Sequence, residues 1–392
     1  MKDKKIKMGN VPNLRFQFQD DWKIYRVSDL LEFFTTNSLS WEQLEYDTEN
    51  LYNLHYGLIH KGAPTQINTD NFQLPNIGEE FIPKIYTLCQ DGDVAFADAS
   101  EDTNDVAKAV EFFNCHDKKI VCGLHTIHGR DKLNKTVKGF KGYAFSSVSF
   151  HNQMRRLAQG TKVYSISQKN FSECFIGIPS KEEQSKIANL LSLLDDRIST
   201  QIQTIGELKL LKSSICMQIF NNQQYAKSVK LGDLCNITTG KLDANAMISN
   251  GLYKFFTCAE VTYQIDNYAF DTEALLISGN GANVGYIHYY SGKFNAYQRT
   301  YVLDKFKSNI LYVKYYLQTK LHKRIEQEKN TGNTPYIVLS VLSDMIINLT
   351  SREEQNKIAN FLSIIDEKLE TEKQILKKYT EQKKYLLTNM FI

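Results

Sequence analysis

Cys115, His116, Cys122, His125 and His128 place five metal-capable side chains in one short stretch, the chemistry of a zinc site. Their spacings match no common finger pattern, so no metal is expected; residues 123 to 126 are expected to be a strand entering a turn, with His125 held by ordinary hydrogen bonds. Gly279, Gly281 and Gly285 are a second candidate, because a glycine-rich turn after a strand lets backbone N–H groups approach phosphate. They do not have the G-x-G-x-x-G spacing, and a tight hairpin serves equally well. Gly240-Lys241 and Gly292-Lys293 lack the upstream glycine of a phosphate loop, and no Asn-Pro-Pro or Asp-Pro-Pro motif of an amino-methyltransferase occurs. Neither ATP hydrolysis nor methyl transfer is expected of this chain. Asp366-Glu367-Lys368 fits the tail of a nuclease motif, but it matches Asp195-Asp196-Arg197 in a repeated segment and is expected to be a solvated helix face.

That repeat organises the chain. Residues 179 to 198 recur as residues 350 to 369, identical at eleven of twenty positions and offset by 171, and the register holds to the end of each segment. Each copy starts with capping-box spacing, Ser180 with Glu183 and Ser351 with Glu354. Apolar residues then step by threes and fours. The first copy carries Ile187, Leu191, Leu194, Ile198, Ile205 and Leu208, and the second Ile358, Leu362, Ile365, Leu369 and Leu376. This is a heptad seam, and it predicts two helices of about 40 residues, on the order of 60 Å long. Such a stripe needs a partner, and the other copy is the simplest one, antiparallel because a whole domain separates the two. The alternative is that each stripe packs onto its own domain. Gln201, Glu372, Lys212 and Lys383 are polar at seam positions and either fix the helix register or mark frayed seam ends.

A shorter match, Val27-Ser28-Asp29-Leu30 with Leu231-Gly232-Asp233-Leu234, is offset by 204, so like ends flank middles of unequal length, about 150 and about 117 residues. Both middles read as mixed α and β. Strands are expected at 84–89, 93–97, 119–121 and 161–166, then at 253–258, 273–278, 284–290 and 300–303, with a helical period at Val313, Leu317, Leu321 and Ile325. The fold expected is α+β: two mixed α/β domains, 1–178 and 226–349, separated by two long antiparallel coiled-coil helices, 179–225 and 350–392, in a pseudo-twofold internal repeat.

Composition agrees with two soluble domains. At 392 residues the chain is too long for one ordinary core, and 42% hydrophobic with 23% charged residues is neither disordered nor membrane composition. The start of the chain is basic without the apolar core of a signal peptide, so a cytoplasmic location is expected. Seven scattered cysteines with no C-x-x-C pair read as reduced, mostly buried residues. Net charge is only +3, too weak to point to nucleic acid by itself.

The order of variable domain, long helix, variable domain and long helix, with the helix start repeated, resembles the specificity subunit of type I restriction-modification systems. The residues carrying the resemblance are Pro179 to Ala188, Ser351 to Ala359, the Trp22 to Leu30 segment and the Gly279 to Gly285 loop, with Thr350 standing where the family usually has proline. The resemblance implies a non-catalytic DNA-binding subunit in which each variable domain is a target-recognition domain reading half of a split double-stranded DNA target. It also implies two modification subunits that methylate adenine, and up to two restriction subunits. S-adenosylmethionine, ATP and Mg are then expected in those partners, with no cofactor bound by this chain and no membrane contact. The rival is a non-catalytic coiled-coil scaffold carrying two protein-interaction domains.

Under that resemblance the DNA-contacting candidates are Arg130, Lys132, Lys135, Lys138, Arg155 and Arg156 in the first domain, and Asn280, Asn283, Gln298, Arg299, Lys323 and Arg324 in the second. Lys141 and Lys320 belong to the same basic clusters. A solvated charged face is the alternative for each cluster. As functional residues, the lysines and arginines would hold phosphates and fix register, while Asn and Arg have the donor geometry to read base edges.

Overall fold

The duplicated segments form two long helices, Lys181–Asn221 and Arg352–Asn389. The structure, a computed structural model, describes residues 10–46, 48–102, 106–160, 163–222, 227–327 and 336–392. The chain divides into two compact units, Met1–Thr200 with Leu376–Ile392, and Gln201–Ile375. Each helix contributes one part to each unit.

In the first unit a five-stranded sheet runs in the order Leu31–Phe34, Thr126–Asp131, Val94–Ala97, Ala109–Phe113, Gln66–Asn68. Its strands Val94–Ala97 and Ala109–Phe113 are covered on both faces, which is why the first reads as an apolar run without polar alternation and the second does so but for Glu111. Period-two geometry divides them cleanly: Val94, Phe96 and Ala109 join a core with Trp22, Phe140, Tyr143 and Ile187, while Ala95, Ala97, Val110 and Phe112 face a second cluster with Leu54, Ile59 and Cys122. A four-stranded sheet, Ile120–Cys122, Tyr52–Leu54, Asn76–Ile77 and Leu44–Glu45, borders that second cluster.

The second unit has one six-stranded sheet, ordered Asn236–Thr239, Thr300–Asp304, Phe270–Ser278, Ile287–Ala296, Tyr253–Phe256, Tyr263–Ile265. Leu275, Ile277 and Leu303 pack under the helix Ile310–Gln327, and Ala274, Leu276 and Val302 face the other way onto Phe256 and Phe294. The two sheets differ in strand number and order. What the units share lies at their edges.

In both units the repeated ends form an antiparallel two-stranded ribbon, Lys23–Arg26 with Phe175–Ile178, and Lys227–Lys230 with Ile346–Leu349. One helical turn follows each first strand, and the amides of Val27 and Leu231 donate to the carbonyls of Cys174 and Met345. The long helices then begin identically. Ser180 and Ser351 accept hydrogen bonds from the amides of Glu183 and Glu354, and the segment beginning at Thr350 follows the same course as that beginning at Pro179. Only half of the first capping box forms, because the Glu183 carboxylate is held by Arg15 in a bidentate pair at 2.8 Å.

The strand expected at 84–89 is not formed; that segment is irregular, with Ile85 exposed, and its end is tied in by the Cys89 amide, which donates to the carbonyl of Ile120, and by the Leu88 carbonyl, which accepts from Arg130. The other expected strands are present with bounds shifted by a few residues, although residues 161 and 162 lie outside the described residues. All seven cysteines are free thiols. Among the described residues no helix is long and apolar enough to cross a membrane.

Candidate nucleic-acid interface and the helices that carry it

In each unit the long helices grip the domain through the same side chains. Gln184 is fully buried; its Oε1 accepts from the Val137 amide at 2.8 Å, and its Nε2 donates to the carbonyls of Lys135 and Pro179 at 2.9 Å. Gln355, its repeat equivalent, accepts from the Asn309 amide at 3.0 Å and donates to the Thr350 carbonyl at 2.9 Å. A glutamine suits both places because one amide satisfies a donor and an acceptor that the domain would otherwise leave buried.

A second grip follows further along the helices. In the first unit Asp195 accepts the hydroxyl of Tyr143 at 2.9 Å and pairs with Lys383 at 2.5 Å, and the Lys383 ammonium lies over the Tyr143 ring. In the second unit Asp366 accepts the hydroxyl of Tyr315 at 2.8 Å and pairs with Lys212 and Lys314, with Lys212 over the Tyr315 ring. Asp195 and Asp366 are repeat equivalents, as are Lys212 and Lys383. Each triad therefore takes its aspartate from one helix copy and its lysine from the other. Burial raises both tyrosine hydroxyls above their ordinary pKa, with the aspartate adding to it. Burial also pushes Asp366 up, but Lys212, Lys314 and Tyr315 together hold it below the usual carboxylate range. The expectation of a plainly solvated face at Asp195 and Asp366 is thus corrected: these carboxylates clamp domain to helix, and Lys212 and Lys383 are their partners.

The seam residues follow the same division. Ile187, Leu191 and Leu194 are buried with Leu386, Met390 and Phe391 in the first unit's core, with Ile198 packed beside them. In the second unit Leu362 is buried with Cys216 and Phe220, and Ile358 and Ile365 pack against that cluster. Ile205 and Leu369 are buried, and Leu208 and Leu376 half-buried. Helix starts that join a domain core combine the two arrangements weighed from sequence: the stripe faces a helix along part of its length and a domain along the rest.

The structure separates the basic candidates of the first unit. Arg130 binds Asp93 with Nε and Nη2 at 2.8 and 2.7 Å, reaches the Leu88 carbonyl and stacks over Phe34, so its guanidinium is already engaged. Lys132 donates to the Ser28 carbonyl, and Lys138 pairs with Asp91 over the Phe113 ring. Lys141, grouped from sequence with the polar cluster, is buried and paired with Glu111 at 3.2 Å; its segment turns inward as the helix Phe140–Phe145. Lys135, Arg155 and Arg156 are exposed, the two arginines in the last turn of the helix Val148–Leu157.

An aromatic group that sequence reasoning missed lies elsewhere in this unit. Trp41, His55 and Tyr56 stand 4.4 and 4.7 Å apart in series, His60 and His125 meet Tyr56 edge-on, and Lys61 lies over Trp41. Burial, with His125 and Lys61 nearby, pushes the pKa of His55 down to about 4, so its ring stays neutral. His55 is itself buried, so Trp41 and the half-buried Tyr56 are the rings with faces on which bases stack. The six residues fall at irregular spacings in three separate segments, a pattern with no sequence signal.

In the second unit the Gly279 to Gly285 segment is a hairpin loop between two sheet strands, with Gly281 and Gly285 at φ +81° and +85°. Gly279, Gln298, Arg299, Tyr301 and Tyr336 line an open groove of about 320 Å³, and Asn280 bridges to Tyr336. Gln298 donates to Asp243 and Asn283 to the Cys258 carbonyl, which leaves the exposed Arg299 as the groove's charged donor. Lys323 and Arg324 line a different groove, with Phe220, Lys320 and Asp344.

Of the five metal-capable residues read from sequence, only Cys122 and His128 come together, and a residue outside the set, Cys89, joins them. His116 is exposed beside Asp117, and His125, at φ +53°, pairs with Asp98 at 3.0 Å.

Comparison with known proteins agrees with this architecture. Residues 19–210 and 225–380 each match the family model for the type I restriction modification DNA specificity domain. The chain is 40% identical over 162 residues to the type I restriction enzyme EcoDI specificity subunit of Escherichia coli, a match spanning 40% of this chain and 36% of that protein's length. It is 24% identical over 300 residues to a putative type I specificity subunit of Mycoplasma genitalium, covering 70% of this chain and 76% of that one. Its fold is similar to the crystal structure of a type I S subunit from M. genitalium, at 18% identity and TM-score 0.63 over 97% of this chain and 99% of that one. It is similar too, at 15% identity and TM-score 0.58 over 95% and 98% of the two chains, to a chain from a structure concerning type I complex assembly and conformational transition. With two matched domains accounting for most of its length, the chain belongs to the family of type I restriction-modification specificity subunits.

Proposed function

We propose that the two unlike domains each read one half of a split duplex-DNA target, and that the helix pair carries two modification subunits that methylate adenine, with up to two restriction subunits in the full complex. As a specificity subunit the chain is the non-catalytic, DNA-recognising member of such a system. S-adenosylmethionine, ATP and magnesium then act in the partners. One observation carries the two-module reading: sheets of different strand number and order are held by glutamine, aspartate and lysine at repeat-equivalent positions, each aspartate taking a tyrosine hydroxyl from its own domain. What varies is the recognising domain, and what repeats is its mount.

In the second domain Arg299 and Asn280 are the candidates for base edges, with Lys323 and Arg324 for phosphate. In the first, Lys135, Arg155 and Arg156 suit phosphate, and Trp41 with Tyr56 suits stacking. Leu193 and Ile364 support two partner sites. They are repeat equivalents on the long helices and each is 63% exposed, so both helix copies present a large apolar side chain to solvent at the same position.

The test is domain exchange. With residues 231–349 replaced by the matching domain of another specificity subunit, the methylated motif of the host genome should change in one half only. A change in both halves would overturn the two-module assignment. Duplex-DNA binding that does not weaken with salt would instead favour a protein scaffold.

A further inference from the structure

Cys89, Cys122 and His128 meet inside the first domain, each offering one ligand atom, with these atoms all within 4.8 Å of one another. The thiol sulfurs are 3.6 Å apart. Two thiolates on a tetrahedral ion at 2.3 Å would stand about 3.8 Å apart, so the sulfurs already hold metal-binding separation. All three side chains are buried, at 4%, 2% and 0% exposure. Their backbones are fixed by the sheets: Cys122 ends the strand Ile120–Cys122, His128 lies in Thr126–Asp131, and the Cys89 amide donates to the Ile120 carbonyl.

The imidazole supplies the independent observation. Its Nε2 is 2.8 Å from Asp93 Oδ2, whereas Nδ1 is buried without a hydrogen-bond partner. A buried ring nitrogen left unpaired is unfavourable, so its persistence calls for a ligand. Donation from Nε2–H to Asp93 fixes the tautomer and leaves the Nδ1 lone pair free, the carboxylate–histidine–metal arrangement of protein metal sites. Arg130 in turn holds Asp93 through two hydrogen bonds. Two thiolates and a neutral imidazole bring charge −2, which a divalent ion cancels among apolar neighbours such as Leu54, Ala95, Phe112 and Ile120.

We propose that Cys89, Cys122 and His128 form a binding site for a thiolate-preferring d10 metal ion, zinc(II) or copper(I), that ties the irregular segment before Val94 to the sheet. Three donors complete a trigonal copper(I) site and leave one position of a zinc tetrahedron; Cys115, buried in the same cluster, is a further thiol. The separation of Cys89 from Cys122 matches no finger pattern, which is why spacing alone missed it.

The experiment uses the full chain, purified under reducing conditions without chelator. Mass spectrometry of the metal should find about one zinc or copper ion per chain after dialysis, and cobalt(II) loading should produce a thiolate-to-cobalt charge-transfer band. Cys122→Ser should abolish that band. Asp93→Asn should keep it while weakening zinc affinity by about 10- to 100-fold. Should Cys122→Ser fail to fold, the wild-type metal content and cobalt spectrum still decide. No retained ion and no cobalt–thiolate band in the wild type would overturn the site, as would an intact mass showing Cys89 and Cys122 joined as a disulfide.

Discussion

Gln201 and Glu372 occupy the same position of the duplicated helix, 171 residues apart, and they bond to each other: the Gln201 Nε2 donates to both the side chain and the carbonyl of Glu372. Here a repeat meets its own equivalent in the middle of an apolar seam. Leucine at both places should raise the thermal midpoint of the chain by a few degrees, since well-packed apolar pairs match or exceed buried polar ones. Gln201→Leu alone should lower it, because a carboxylate placed for two donors would keep only Lys368. Thermal melts of the three variants check the order.

Asp366 makes stability depend on acid. Its folded pKa lies below the ordinary carboxylate value, so its contribution is present above the unfolded pKa of about 3.9 and is lost as pH falls through the folded value. Asp366→Asn should cost about 1–3 kcal/mol at neutral pH, and the gap to the wild type should close below about pH 4. Denaturant titrations at several pH values read this directly; a gap unchanged at low pH would show that Lys212 and Lys314 do not act through its charge.

Arg130 and the Arg155–Arg156 pair should separate structure from binding. Arg130→Ala leaves the buried Asp93 without its main counter-charge and should destabilise the first domain by about 2 kcal/mol or more. Arg155→Ala with Arg156→Ala should leave stability within about 0.5 kcal/mol, weaken duplex binding across sequences and reduce the salt slope by up to about two. An unchanged slope would remove both arginines from the phosphate-contacting surface.

Leu193 and Ile364 should each govern one partner. Leu193→Asp or Ile364→Asp should lower the mass of the saturated complex by one modification subunit, and the double substitution by two. Because both side chains are solvent-exposed, the isolated chain should melt as before. Full occupancy in the double variant would place the docking surface elsewhere.

The long helices and the division into two unlike domains were legible because a 171-residue repeat and a heptad are patterns that survive without tertiary context; the ribbons were marked only as repeated ends, not as strands. Contacts joining a repeated residue to an unrepeated one were not. Asp195 and Asp366 carry the repeat signal, but Tyr143 and Tyr315 lie in dissimilar segments, so nothing in the sequence marked them as partners. Arg130 and Lys141 show the same limit in another form. A basic run reads as a charged face, yet a strand turns Arg130 onto Asp93 and a short helix buries Lys141 beside Glu111. Cys89 failed for distance, since an irregular segment pinned by its amide to the Ile120 carbonyl, and not the spacing, brings it to Cys122.

The ribbon at the base of each domain bears on the order in which the chain folds. Lys23 pairs with Ile178 and Lys227 with Leu349, closing loops of about 155 and about 120 residues. Closure entropy grows only with the logarithm of length, so the two ribbons differ by merely about 0.2 kcal/mol for this reason. A domain can therefore gain or lose tens of residues with almost no entropic penalty at its mount. Pairing over such a span is favourable only once the intervening sheet has brought the strand ends together, so the ribbons close late, and the long helices become fully anchored after the domains they carry.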